Sequence, residues 1–275
     1  MDPSSIERDW QLRSLTLKDL TNQATPDRPH EMGSLPVPRV LVQYWDDPKV
    51  PIDVAECLDS WAALESSGFQ RKLFDREGAR TLILEELDTT HAAAFEAAPH
   101  PAARSDYFRL CYLAVYGGWY VDADDQFQNV DLGALLPPRG LRLQALCYDI
   151  DSGTTIDPRA ALEGSDTQNV IHYVNNNPII TRPAHPVITE ALSAATATLS
   201  QHSKSSHKVF NIQAAAGPGL LTLTIAKHSL RSPLTSAESD VEIRTDWTTF
   251  AQPVWDLAYR RNGYDWRSWD GLSAL

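Results

Sequence analysis

The run Trp119-Tyr120-Val121-Asp122-Ala123-Asp124-Asp125 ends in three acids and stands directly behind Gly117-Gly118. If its apolar residues form a strand, Asp122 and Asp124 project to one side, with about 6 to 7 Å between their Cα atoms by strand rise. Two carboxylates at that spacing can approach one cation. Hard oxygen ligands suit Mg²⁺ or Mn²⁺, ions that keep several waters and complete their shells with phosphate oxygens. A diphosphate leaving group needs such an ion. Taken alone, Asp-x-Asp is also compatible with a solvated turn.

Upstream, the stretch from Ser105 to Gly118 reads as a helix capped by Ser105 and stopped by the glycines, which accept left-handed backbone without steric cost. Asp106 and Arg109 lie three apart and share a face, either as a surface ion pair or as part of a site. An apolar strand ending in acids, entered from a Gly-Gly break behind such a helix, is poor packing design and good site design.

These residues need a scaffold. A first buried strand is expected at 39–45, a helix at 53–66 and a strand at 70–74, which is a strand-helix-strand opening. Helices follow at 77–87 and 89–97, with strands at 143–148, 170–174, 179–181 and 241–245 and helices at 186–200 and 219–228. The pattern predicts an α/β sheet with ligands at the carboxyl ends of its strands. Residues 1–38 form an N-terminal extension: a helical stretch over 4–22, then a Pro-rich connector over 24–38. Ile6, Trp10, Leu17 and Leu20 share one helical face, which suits packing on the domain or contact with a membrane or acceptor. Residues 39–275 are expected to be a single catalytic domain.

With 275 residues, 43% of them hydrophobic, the chain can bury a sizeable core. A net charge of -12 argues against nucleic acid or an anionic membrane as main partner. Cys57, Cys111 and Cys147 are too far apart for a disulfide framework or a thiolate zinc site, which fits a reducing cytoplasm. The N-terminus does not read as a signal peptide, and no apolar run reaches the roughly eighteen residues of a spanning helix. A cytoplasmic protein without a transmembrane segment is therefore expected.

The run from Ala103 to Asp124 resembles the DXD sugar-binding region of glycosyltransferase family 32. That family includes fungal mannosyltransferases and bacterial polysaccharide enzymes, and is related in fold to the glucosyltransferase domains of clostridial toxins. Val42-Gln43-Tyr44-Trp45, the stretch from Asn177 to Pro186, the stretch from Ala216 to Thr222 and Ser268-Trp269 extend the resemblance over roughly residues 39 to 270. It implies a fold of the GT-A type, a Rossmann-like mixed sheet flanked by helices. Asp122 and Asp124 would bind the metal, Mn²⁺ or Mg²⁺, with Asp122 shared with the ribose. Asp106 and Arg109 would bind donor-sugar hydroxyls and Trp45 would stack on the base. Asn177, with Asn175 and Asn176 as neighbouring alternatives, would approach the transferred sugar. The C-terminal segment 262–275 would be a lid, in which Asp265 is the matching metal ligand and Ser268 and Trp269 reach the donor. Relatives often carry His or Glu where Asp265 or Tyr264 stands. His185 would be a structural histidine in a Pro-x-His-Pro turn, and Gly217-Pro218 a turn that starts a helix.

The implied reaction is metal-dependent transfer from a nucleotide sugar with retention of configuration, UDP-sugar being favoured over GDP-mannose. The departing phosphate would itself accept the proton of the acceptor, which is a glycan, a small molecule or a protein. Two other readings remain. A metal-dependent phosphoester or nucleotide-sugar hydrolase could also use Asp122, Asp124 and Asp125, though it would need a second acidic or His cluster. A non-catalytic sugar-nucleotide-binding protein could keep the same fold.

Overall fold

The computed structural model describes residues 14, 17, 18, 21, 36–131, 140–163, 169–202, 209–231, 241–261 and 265–271. Val40–Tyr44, apolar and largely buried, forms β1. It is followed by helix α1 (Ile52–Ser60), a 3₁₀ segment (Trp61–Ser67) and β2 (Gln70–Phe74). Three helices come next, α2 (Arg76–Glu86), α3 (Thr89–Ala97) and α4 (Pro101–Tyr116), and they lead to β3 (Gly118–Tyr120) and β4 (Asp125–Phe127). Then come β5 (Leu141–Asp149), β6 (Thr154–Ile156), α5 (Pro158–Glu163), β7 (Val170–Thr181), α6 (Pro186–His202), α7 (Ile212–Ala215) and α8 (Pro218–Arg231). β8 (Val241–Arg244), β9 (Ala251–Pro253) and α9 (Ala258–Arg261) close the order.

The main sheet runs β2-β1-β3-β7-β5-β6, with β8 on β5. β1 pairs in parallel with β2 and β3, whereas β7 is antiparallel to both β3 and β5. This is the mixed, helix-flanked α/β sheet expected from the sequence. β4 and β9 form a separate antiparallel ribbon. Among the described residues no helix is long and apolar enough to cross a membrane.

α4 matters most for the site. It packs against α6, and Tyr107, Phe108, Leu110, Cys111 and Leu113 on it are almost wholly buried. Arg104, Asp106 and Arg109 are buried with them, so each needs a partner. The helix passes straight into β3 through Gly117 (φ 64) and Gly118 (φ 107), where a β-carbon on Gly117 would lie 2.6 Å from Thr181 O. Only glycine fits there.

The structure corrects several expectations. α4 begins at Pro101 and is capped by His100, whose Nδ1 accepts from Ala102 N at 3.0 Å, not by Ser105. Proline at the first helical position supplies a helical φ and lacks the N–H that would go unbonded there. The helix expected at 53–66 divides into α1 and the 3₁₀ segment. The strands expected at 170–174 and 179–181 are one strand, β7, whose pairing with β5 shifts register between Leu143 and Gln144. The polar Asn175-Asn176-Asn177 centre looks like a break in sequence, yet pairing absorbs it. β3 ends at Tyr120, so Asp122 and Asp124 stand on the turn between β3 and β4, and Asp125 opens β4.

Of the helix expected at 4–22, Ser14, Leu17, Lys18 and Thr21 are described, and they are helical. Leu17 is buried in the main core, and Ser14 Oγ accepts from His172 N at 3.0 Å. The other residues of that helix, residues 24–35 of the connector, and 262–264 and 272–275 of the tail lie outside the described residues. The three cysteines are free and buried, as the absence of a disulfide framework requires.

Candidate functional site

The acid turn follows β3 and is fastened group by group. Asp122 N donates to Asn177 Oδ1 at 3.0 Å, while Asp122 O accepts from Asp125 N at 3.2 Å and from Gln43 Nε2 at 3.4 Å. Val254 N donates to Asp124 O at 2.8 Å, and Trp61 Nε1 to Asp125 O at 2.8 Å. A turn whose backbone is this fully bonded presents its side chains in fixed directions.

The three acids then part ways. Asp125 points into the body, where Asn177 Nδ2 donates to it at 3.0 Å and the Trp247 indole at 3.4 Å. Burial, then the neighbouring Asp122 and Asp124, push its carboxyl up to about 8, which makes it mostly neutral at pH 7. Asp122 keeps 32% of its side chain exposed and accepts from Arg109 Nη2 at 2.9 Å. Burial pushes its carboxyl up to about 6 against the opposing pull of Arg109, so it remains charged at neutral pH. Asp124 accepts from Tyr259 Oη at 2.7 Å and pairs with the Arg260 guanidinium, both from α9.

Arg109 is the hub behind them. It is 3% exposed and reaches Asp106 Oδ1 at 2.8 Å, Asn176 O at 2.5 Å and Ser105 Oγ at 3.2 Å, besides Asp122. Its guanidinium lies 4.4 Å from the centre of the Tyr120 ring. Burial alone would lower its pKa, but Asp122 and Asp106 more than reverse that and hold it charged. Asp106 Oδ1 also accepts from Asn176 Nδ2 at 2.7 Å. Gly217 makes room for the other oxygen, since a β-carbon there would stand 2.9 Å from Asp106 Oδ2. The pair expected from its i,i+3 spacing is therefore buried, not a surface ion pair.

Trp45, at the carboxyl end of β1, is half-buried and edge-on to Tyr259 at 5.2 Å. With Asp47, Val50, Phe74 and Gly78 it lines a groove of about 190 Å³ beside the ends of β1 and β2. Its next residue, Asp46, accepts a fork from Arg104 at 2.6 and 2.9 Å and a bond from Tyr44 Oη at 2.5 Å. This fixes the β1 terminus.

Asp106, Arg109, Asp122 and Asn177 thus form one bonded cluster with Asp124 at its edge. The tail docks with Trp269 5.1 Å from His100 and 6.2 Å from Phe210, Phe210 N donates to Gly271 O at 2.9 Å, and Arg267 lies 4.8 Å from the centre of the Trp255 ring that Arg260 also faces. Ser268 Oγ donates to Asp265 O at 2.9 Å, and Asp265 pairs with Arg267 at 3.5 Å. Among the described residues no three His, Cys, Asp or Glu are grouped to hold a metal ion, so Asp265 does not stand with Asp122 and Asp124 here. His185 is buried, with Nδ1 accepting from Val187 N at 3.3 Å, the structural role expected of it.

Residues 51–130 match the family model described as "Glycosyltransferase sugar-binding region containing DXD motif". The acid turn is the DXD of that region. Among solved structures the chain is similar to one described as "PaToxG Glycosyltransferase", at 18% identity and TM-score 0.49, covering 82% of this chain and 81% of that one. It is also similar to the UDP-bound glycosyltransferase domain from the YGT toxin, at 12% identity and TM-score 0.34, covering 72% and 56%. No curated protein matches.

Several residues that serve the DXD turn gave no signal in sequence. Trp61 and Trp247 stack 6.1 Å apart beneath it, and Gln43 reaches it from β1. Tyr259 and Arg260 come from 135 and 136 residues away, a distance that no local spacing reports. Arg104 had one possible sign, a charge within the otherwise buried run of α4.

Proposed function

We propose that the chain is a retaining, metal-dependent glycosyltransferase that moves a sugar from a nucleotide donor, a UDP-sugar in preference to GDP-mannose, to an acceptor hydroxyl or other nucleophile. The observation that carries this is the division of labour in the DXD turn. Asp122 is charged, partly exposed and braced by Arg109, Asp124 already accepts a cationic group, and Asp125 is withdrawn as a buried brace. The donor set fits a hard divalent cation held by Asp122 and Asp124. Such an ion supplies neutralisation of charge developing on the departing diphosphate.

The chain's own groups do the remainder. The Trp45 indole offers a flat face to the base, at the side of a groove that Asp47 and Asp75 also line. Asp106 is assigned to donor-sugar hydroxyls through Oδ2, the oxygen beside Gly217, while Arg109 holds both Asp106 and Asp122 in direction. Asn177 keeps the DXD backbone and Asp125 in place, so its contribution is to hold the turn near the anomeric centre. The tail bearing Asp265, Ser268 and Trp269 is assigned to closure over the donor, which excludes water and favours transfer over hydrolysis. A two-metal hydrolase that used Asp125 would need its carboxylate at the surface, and it points into the body against Asn177 and Trp247.

Calorimetric titration of UDP and of GDP, in Mn²⁺ and then in EDTA, tests the reading. UDP should bind with Mn²⁺ and lose at least about tenfold in EDTA, because a chain of net charge -12 otherwise repels a diphosphate. Equal affinity in both media removes the cation. Failure of both nucleotides to bind overturns the proposal.

A further inference from the structure

Arg260 is the one described cation that touches Asp124, and it touches it at the oxygen that also accepts from Tyr259. Its guanidinium is held between two rings, 4.9 Å from the centre of Trp255 and 5.2 Å from that of Tyr259. Its side chain is 11% exposed, and among the described residues its buried Nε has no hydrogen-bond partner. An arginine fork is built to satisfy two oxygens at once, and here one of its donors is left over.

α9 itself is only lightly tied to the body. It spans four residues, with Ala258 N donating to Asp53 Oδ2 at 2.6 Å just behind the buried Leu257. A divalent cation that joins Asp124 meets the guanidinium at contact range, and two like charges there repel strongly where water is scarce. The stacked rings keep the guanidinium plane in the neighbourhood. A diphosphate bound to that same cation would then offer it phosphate oxygens as partners.

From this, and resting on the glycosyltransferase reading, we infer that Arg260 is a binding residue for the donor diphosphate that exchanges partners: it holds Asp124 in competition with the divalent cation, and turns to the diphosphate oxygens when the cation takes Asp124. The recognised class is a nucleoside diphosphate, read through its phosphates and not through its base.

The test compares the full-length chain with its Arg260→Gln and Arg260→Lys forms in two titrations. Mn²⁺ alone is followed by the loss of its free paramagnetic signal, and UDP in saturating Mn²⁺ is followed by calorimetry and by the emission of the exposed Trp255. Arg260→Gln should bind Mn²⁺ alone about threefold tighter or more, since the competitor is gone, and should bind UDP about tenfold more weakly. Arg260→Lys keeps charge without the fork and should fall between the two; it carries the comparison if Arg260→Gln does not unfold cooperatively. Unchanged UDP affinity, or unchanged Mn²⁺ affinity, in the variants overturns the inference while the wild-type chain still binds UDP. A wild-type chain that binds no nucleotide with Mn²⁺ shows instead that the underlying reading has failed.

Discussion

Arg109 Nη2 stands 2.9 Å from Asp122 Oδ1, so a residue buried in α4 braces the first acid of the DXD turn across thirteen positions of chain. The same nitrogen is 2.8 Å from Asp106 Oδ1. One buried guanidinium thereby balances two carboxylates, one enclosed and one partly exposed.

Replacing Arg109 by Ala leaves both acids without a counter-charge and frees Ser105 Oγ and Asn176 O of their donor. Breaking a buried pair from one side costs about 3 to 5 kcal/mol. We expect urea unfolding to show a loss of that order, with Arg109→Lys losing most of it, because an ammonium cannot span Ser105, Asn176 and Asp122 together. A variant as stable as the parent would return the pair to the surface class.

Asp124→Asn should behave in the opposite way. Its carboxylate lies at the edge, 16% exposed, and its backbone carbonyl is bonded independently by Val254 N. Unfolding free energy should fall less than for Arg109→Ala, by about 1 to 3 kcal/mol for weakened bonds to Tyr259 and Arg260, while Mn²⁺-dependent UDP affinity and turnover fall by at least about 100-fold. An active Asp124→Asn chain would remove the DXD from the chemistry.

The contrast between those two residues shows what the sequence could reveal. Spacing alone put Asp106 beside Arg109, because that relation is local, whereas strand alternation does not describe Asp122 and Asp124, which stand on a turn and take different partners. Burial is not local, and so the ion pair looked the same in sequence whether solvated or enclosed. The strand continued too far in the expectation because Val121 is apolar; in the structure it bonds to Val42 O, but the acids after it turn away. Pairing partners such as Trp247 and Arg260 arrive from distant segments, and nothing in their own neighbourhoods marks them. The tail's aromatic density was legible, whereas its docking on His100 and Phe210 was not.

Asn177 offers a sharper test of the turn's support. Its amide donates to Asp125 and its carbonyl accepts from Asp122 N, and at 8% exposure water does not readily replace either bond. Asn177→Ala should therefore cost about 2 kcal/mol, and Asn177→Asp more, since it sets a second acid against Asp125. Thermal unfolding would read both, and a neutral Asn177→Asp would argue that the turn does not depend on this brace.

Two buried histidines should contribute a loss of stability on the acid side, set against Asp122 and Asp125, whose raised carboxyls favour the folded chain as pH falls. Burial, and then the positive charge of Arg104, push His100 from the ordinary 6.5 down to about 4, and burial lowers His172 as well. The unfolded chain takes up these protons near pH 6.5, while folded His100 resists until about pH 4. Their contribution is thus fully present above the unfolded pKa and is lost as pH falls through that window; for His100 the loss levels off below about 4. The structural reason is plain at His100, whose Nδ1 caps α4 as an acceptor and cannot do so once protonated. Among the described residues its Nε2 is buried with no hydrogen-bond partner, and burial outweighs the pull of Asp46 and Asp265 on an added charge. Asn at this position accepts the same bond from Ala102 N without titrating, because it is a favourable N-cap. Across denaturant midpoints measured from pH 7.5 to 4.5, the His100→Asn chain should therefore gain steadily on the parent as pH falls, with the two chains close at neutral pH. Parallel acid limbs would assign the loss to other groups and remove His100 from the account.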